Sequence, residues 1–302
     1  MKEGGVLIKK IWLNKKYVAK LACKWTAGLF SFLGFIGTFV SLSDIVPDSW
    51  SFMCKLLLSF AILAVSWMLL FMICAVWFEK KKRLEIFEAN NGCHVYVQYG
   101  DVFSENEVDD SNERRTIVIP VNRCFDTIVD NDLVSEKTLH GIAFKKLYAD
   151  GIYDENTLNK ALQDDLTIRQ GIKAETITLS KKRKGNLNRF QVGTVAEIQE
   201  SNTCTFFFLA LSTFDSNLTA HTTQEEYVIA IQRLIEYCNA RSQGYPIVMP
   251  LIGAGLSKTK NDERSILEFI VKLLKMNKKI INSDVHIIVR NSGKETVSIT
   301  EL

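Results

Sequence analysis

Residues 247–257 read IVMPLIGAGLS. Ile247, Val248 and Met249 form a short apolar run, Pro250 and Leu251 lead out of it, and Gly253-Ala254-Gly255 follows. A helical pattern begins near Asn261. A strand, a small-residue loop and a helix start together present backbone N–H groups that close on a phosphate without any basic side chain. Glycine is required there because a Cβ would block the approach and the loop calls for positive φ. A plain turn produces the same stretch, so its meaning depends on the rest of the chain.

On either side of this loop, strand and helix signals alternate. Strands are expected at 94–99, 116–121, 205–211, 247–249, 285–289 and 296–299, the last two closing the sheet. Helices are expected at 136–149, 156–169, from Thr222 to about Ala240 and from about Asp262 to Met276. Thr222 and Glu225 have capping-box spacing. Residues 176–179 and 190–198 read as a hairpin around SKKRKGNLN. Continuous apolar strands between amphipathic helices imply a mixed, mostly parallel sheet covered on both faces. Such sheets bind ligands at the carboxyl ends of their strands. Asp101, Asn122, Ser212-Thr213 and Gly253 to Gly255 follow four of these strands, offering an acidic acceptor, an amide, hydroxyls and a phosphate nest. That set suits a nucleotide sugar.

The N-terminal quarter differs in kind. Residues 1–24 carry a net charge of +6 and residues 79–83 carry +3, whereas 84–302 total −5 within an overall +3. A mildly acidic globular part argues against nucleic-acid binding. In 1–24, lysines interleave with Ile8, Ile11, Trp12, Val18 and Leu21, a pattern for an amphipathic helix on a membrane surface. Residues 25–43 and 56–78 are uncharged over 19 and 23 residues. At helical rise they span roughly 29 and 35 Å, matching a hydrocarbon core of about 30 Å. Trp25, Trp50, Trp77 and Phe78 sit near the ends, where aromatic belts form. The expectation is an N-terminal two-helix transmembrane hairpin with a short loop at 44–55, then a linker at 79–92 continuing the second helix, then the α/β domain at 93–302. Basic flanks on both sides place both termini in the cytoplasm, at the cell's inner or plasma membrane. Seven scattered cysteines without zinc spacing read as free thiols in a reducing compartment, and no metal is expected.

Tyr99-Gly100-Asp101-Val102-Phe103, then TIVIPVN ending at Asn122, then Gly193-Thr194, then PLIGAGLS resembles the ordered motif set of a macro domain. The resemblance covers about residues 93–302. With two membrane helices in front, the chain is similar to the membrane-anchored macro-domain proteins of type II Thoeris antiphage systems. Phe125-Asp126-Thr127 and Leu139-His140-Gly141 resemble that subgroup in particular. The resemblance implies an ADP-ribose-type ligand, specifically ADP-ribose joined to histidine, made by a partner TIR-domain enzyme. It also implies assembly as a homo-oligomer among membrane lipids, membrane damage and cell death. Carried over by position, Asp101 accepts from the adenine amino group and Asn122 touches the distal ribose. Gly253, Ala254, Gly255 and Leu256 hold the diphosphate from one side, His140 and Gly141 from the other. Val102, Thr127, Leu139, Thr213 and Leu251 complete the candidate contact set. Plainer readings stand beside these: an Asx turn at Asp101, a cap at Asn122, a packing role for His140, a strand-end hydroxyl at Thr213.

Macro domains that hydrolyse ADP-ribose esters carry a glycine run after the asparagine. Here that place reads RCFDTIVDNDLVSEKTLHG, which favours binding over catalysis, and no cofactor is expected. The main alternatives are a membrane-tethered ADP-ribose hydrolase, with Asn122 or Asp126 positioning water, and a non-catalytic membrane adaptor. KKRK at 181–184 reads as a solvated hairpin tip, or as a contact with anionic lipid.

Overall fold

The computed structural model describes residues 2–37, 49–108, 114–254, 262–300 and 302. The chain divides into two compact units: residues 1–82 with 294–301, and residues 83–293 with 302.

The first unit is helical, with α1 (Lys2–Leu13), α2 (Lys15–Gly37) and α3 (Phe52–Lys80). Lys10, Asn14, Val18, Ala22 and Thr26 are buried. They recur every fourth residue and so share one face across the α1–α2 junction. Ile8 and Trp12 lie exposed. Lys10 Nζ donates to the Glu79 carbonyl at 3.1 Å, where a cation complements the C-terminal end of α3. Tyr17 meets Phe78 at 5.6 Å between ring centroids, and Trp67 Nε1 donates to Cys23 Sγ at 3.2 Å. Ser51 caps the start of α3 by accepting from the Cys54 N–H. Among the described residues, α3 alone is long and apolar enough to cross a membrane, with a hydropathy of 2.6 and none of its most apolar window buried. The span expected at 25–43 begins inside α2, but residues 38–43 and the first part of the 44–55 loop lie outside the described residues. Residues 296–299 are not a strand. Val297, Ser298 and Ile299 are buried in this unit instead, because Asn14 supplies the acceptor that a sheet neighbour would have provided.

The second unit carries β1 (Arg83–Glu88), β2 (His94–Gly100), β3 (Arg115–Asn122), α4 (Leu139–Ala149), α5 (Glu155–Asp164), β4 (Glu175–Thr176) and β5 (Asn188–Arg189). It continues through β6 (Val195–Gln199), β7 (Cys204–Phe214), β8 (Ala220–His221), α6 (Gln224–Arg241), β9 (Ile247–Pro250), α7 (Glu263–Met276) and β10 (Val285–Arg290). The main sheet runs β1-β2-β10-β9-β3-β7-β6, with β8 on β7. The central strands β2, β10, β9, β3 and β7 are parallel, and the flanking pairings are antiparallel. All the parallel strands therefore end at one edge.

Strand β1 occupies part of the stretch expected to continue the second helix. The chain turns extended at Lys81, and antiparallel pairing with β2 satisfies the backbone of residues 83–88. The helix cap at Thr223 and Glu226 sits one residue later than the spacing at Thr222 and Glu225 suggested. The hairpin around 181–184 has only the two-residue ladder β4–β5, and residues 195–199 join the main sheet beside β7.

Alternation along β7 explains the two covered faces. Phe206 and Phe208 join Phe144, Leu147, Leu158 and Leu162 of α4 and α5 in one core. Phe207, pointing the opposite way, meets Tyr237 of α6 at 5.4 Å. The seven cysteines are all unpaired, and Cys74, Cys124, Cys204 and Cys238 are buried. Phe144 packs edge-on against Phe208 at 5.1 Å. Replacing it with alanine should cost the second unit roughly 3–5 kcal/mol. Ile168→Ala, at an exposed position, should cost no more than about 0.5 kcal/mol. Hydrogen exchange of the β7 amides in the full chain distinguishes these outcomes.

Candidate functional site

The carboxyl edge of the parallel strands holds a cavity of about 490 Å³. Its walls are the ends of β2 (Gly100, Asp101, Val102), β10 (Ile288, Arg290, Asn291), β9 (Pro250, Leu251, Gly253, Ala254) and β3 (Pro120), with the start of α4 (Lys137, Thr138, Leu139, His140) and Glu263 of α7.

Each wall is held by identifiable contacts. At the end of β2, buried Glu107 accepts from the Asp101 N–H at 3.2 Å, and its carboxylate and carbonyl both take the Gln98 amide. A Cβ on Gly100 would fall 2.3 Å from Glu107 Oε1, so only glycine leaves room for this brace. Asp101 Oδ1 accepts from the Phe103 N–H at 3.1 Å. The Asx turn and the place in the cavity wall are thus both true of Asp101. After β9, the Ala254 N–H returns to the Leu251 carbonyl at 3.2 Å, and Gly253 takes φ +93. The buried Tyr227 hydroxyl anchors this turn through the Ile252 carbonyl at 2.9 Å. On the facing wall, Thr138 caps α4 by accepting from the Gly141 N–H at 3.0 Å. A Cβ on Gly141 would sit 2.3 Å from the Ser135 carbonyl oxygen, so the entering chain lies tight against the helix start. The first-turn amides of an α-helix have no intrahelical partners and carry positive potential. Arg290 adds a guanidinium, paired with Glu263 at 2.6 Å. Among the described residues no His, Cys, Asp and Glu cluster fits a metal.

Of the residues singled out from the sequence, Asp101, Val102, Leu139, His140, Leu251, Gly253 and Ala254 line the cavity. Gly255 and Leu256 lie outside the described residues. The others are engaged elsewhere. Asn122 is buried and its Oδ1 accepts from the Cys124 N–H at 2.9 Å, which is the cap that the plainer reading supplied. Thr127 is buried and its carbonyl accepts from the Tyr148 hydroxyl at 2.6 Å. Gly141 supports the α4 start from behind. Thr213 Oγ1 accepts from Arg123 at 3.3 Å. Sequence reasoning passed over Lys137, Glu263, Arg290 and Asn291. The signal for Arg290 and Asn291 was present: they end a strand recognised as such, and β10 lies between β2 and β9.

Behind the cavity wall, Asp126 and Lys182 form a buried ion pair at 2.6 Å. Burial pushes the Asp126 carboxyl above the ordinary carboxylate range, opposed by Lys182 and by the Asn186 N–H. Gly185 must be glycine at φ +85, since a Cβ would land 2.2 Å from Asp126 Oδ1. Arg183 pairs with Asp132, and Lys184 pairs with Asp130 and Asp132. Three cations of the KKRK run are therefore paired with the 126–132 segment; the solvated-tip reading is corrected for Lys182, which is buried, whereas Arg183 remains exposed. His140 stands edge-on to Phe144 at 4.5 Å. Burial pushes its imidazole down to about 3, with a hydrogen bond to the Asp126 backbone opposing.

A family model described as Thoeris protein ThsA, Macro domain, matches residues 95–290. Thoeris protein ThsA of Bacillus amyloliquefaciens (strain Y2) is 26% identical over 180 residues, covering 60% of this chain and 55% of that relative. The match therefore spans about half the relative's own length. Among solved structures, the chain is similar to a glycine-to-valine mutant of the Oceanobacillus iheyensis macrodomain with ADPR, at 10% identity and a TM-score of 0.46, over 70% of this chain and 92% of that one. The same macrodomain with ADP gives a TM-score of 0.45 at 10% identity over 70% and 90%. A macrodomain protein from Streptomyces coelicolor gives 0.32 at 11% identity over 65% and 98%.

His140 sets a pH dependence. Its folded value of about 3 lies below the unfolded 6.5, so the unfolded chain binds the extra proton. The contribution to stability is complete above pH 6.5 and is lost as pH falls toward 3. Between pH 6.5 and 5 the parent chain should lose up to about 1.4 kcal/mol per pH unit through this group. His140→Phe should remove that slope, read as the difference between the two unfolding curves across this window.

Proposed function

The chain belongs to the Thoeris protein ThsA macro-domain family, and on that premise we propose that its cavity receives an ADP-ribose-type ligand whose binding drives the helical unit to disrupt a membrane. The observation that carries this reading is the cavity at the strand ends, with the Gly253-Ala254 turn on one wall and the start of α4 on the other. A diphosphate fits between such walls without needing a lysine or arginine for each charge. Asp101 at the β2 end accepts from an adenine amino group, and Arg290 and Lys137 supply cations at the rim. The ligand we favour is ADP-ribose linked to histidine, produced by a partner TIR-domain enzyme.

The effector half rests on α3, whose most apolar window is unburied, and on the uncharged stretch at 25–43. Together they form two spans with both termini cytoplasmic. A two-helix hairpin encloses no conduction path by itself, so disruption requires homo-oligomeric assembly among lipids. The ligand need only favour the assembled state by about 5.5 kcal/mol to convert a 1:99 population to 99:1.

A binding role without catalysis is supported by the side chains nearest to one. Asp126, the candidate for positioning water, is held by Lys182 behind the wall, and Asn122 Oδ1 accepts from the Cys124 N–H. The 123–141 segment also lacks a glycine run.

Calorimetry on the full chain in nanodiscs should show binding of ADP-ribose and its histidine conjugate. Asp101→Ala should weaken it by about 1.5–3 kcal/mol, the worth of a hydrogen bond to a charged group, or roughly 10–150-fold. Liposomes carrying the parent chain should leak on adding the conjugate, which should be recovered unchanged. Leakage indifferent to ligand would refute the switch, and a hydrolysed conjugate would favour the tethered hydrolase.

A further inference from the structure

The chain passes between its two units at 82–83, at 293–294 and at 301–302. The first enters the sheet at the start of β1, and the second follows the end of β10. Arg83 pairs with Gln98 across β1 and β2. Ile288 pairs with that same Gln98, and Arg290 with Gly100, across β10 and β2. Asp101 follows directly. Of the strands that wall the cavity, β10 is the one whose end leads directly into the passage at 293–294.

The second passage is the more constrained. Arg290 and Asn291 line the cavity, Asn291–Glu295 forms a single tight helical segment, and Val297, Ser298 and Ile299 are then buried in the helical unit. There the tail closes on one atom. Asn14 Oδ1 accepts from Ser298 Oγ at 2.9 Å, from the Ile299 N–H at 3.2 Å and from Thr300 Oγ1 at 3.0 Å. Asn14 Nδ2 donates to the Lys10 carbonyl at 2.8 Å. The residue is fully buried and stands between α1 and α2, at the point where the helical path is interrupted. Lys9 adds an ion pair to Glu295 at 2.6 Å. Loss of that oxygen takes the acceptor from the buried Ile299 N–H and leaves the Ser298 and Thr300 hydroxyls only each other, at 3.2 Å.

We propose that residues 291–300 are a coupling strap, carrying a displacement at the Arg290–Asn291 wall of the cavity to the α1–α2 junction through the Asn14 clasp. The origin of the displacement is chemical. Arg290 is paired with Glu263, and an anionic ligand in the cavity competes for that guanidinium. This inference rests on the ligand-gated reading above and specifies how the two units communicate.

The test uses the full chain in vesicles of phosphatidylethanolamine and phosphatidylglycerol, with histidine-linked ADP-ribose as probe. Two variants break the clasp from opposite sides: Asn14→Ala, and Ser298→Ala with Thr300→Val. Each should bind the probe within about twofold of the parent, yet show ligand-dependent leakage reduced at least about tenfold, within the usual range of coupling between sites. Leakage equal to the parent's, or leakage before any ligand is added, overturns the strap. If the parent itself binds the probe but does not leak, the membrane-disruption reading fails while the strap remains testable. Exchange of the Ile299 amide in the unaltered chain should then change on saturation with the probe, and an unchanged rate overturns the strap. That second readout also decides the matter should either variant fail to fold.

Discussion

Everything in the second unit depends on the parallel ladder that seats β10 between β2 and β9. Val285 pairs with Val95 on one side and Ile247 on the other, and Ile288 with Gln98 and Pro250. That double pairing aligns strands far apart in sequence so that Asp101, Pro250 and Arg290 emerge together. Parallel strands need long crossovers, and the helices that supply them cover both faces. The edge is therefore where the ends of these strands come together uncovered. The cavity follows from the ladder rather than from any one motif.

Much of this was legible in the residues. Apolar runs such as 205–211 exceed what an alternating, half-exposed strand shows, and the loop after Met249 announces its conformation through glycine. What periodicity could not reveal were pairings made at a distance. Residues 83–88 contain too little pattern to reveal an edge strand, and only β2 makes them one. Residues 296–299 have strand-like composition, yet their partner is a side chain near the other end of the chain. Short charged runs are the hardest to read. In KKRK, Lys182 is buried against Asp126 while Arg183 and Lys184 pair with Asp132 and Asp130, and those three aspartates lie over fifty residues earlier.

Most residues whose backbone was thought to matter, Leu139, His140, Leu251, Gly253 and Ala254, lie at the cavity, and so does Asp101. The oxygens of Asn122 and Thr213, chosen as polar side chains after a strand, accept from local donors. A side chain one or two positions past a strand has capping work available to it, and the fold uses it there. The buried Asp126–Lys182 pair fixes the path of 123–133 behind the α4 start. Removing one partner would leave an uncompensated charge, which costs far more than the pair itself contributes.

The clasp on Asn14 also governs how the protein is made. Ser298 lies 284 residues downstream of its acceptor, and at ribosomal speeds of about 5–20 residues per second that separation amounts to roughly 15–60 s. Until then the carboxamide at the α1–α2 junction has no tail to receive. The helical unit reaches its final form only after the whole second unit has been translated, so an aborted chain carries α1, α2 and α3 without the contact that completes them.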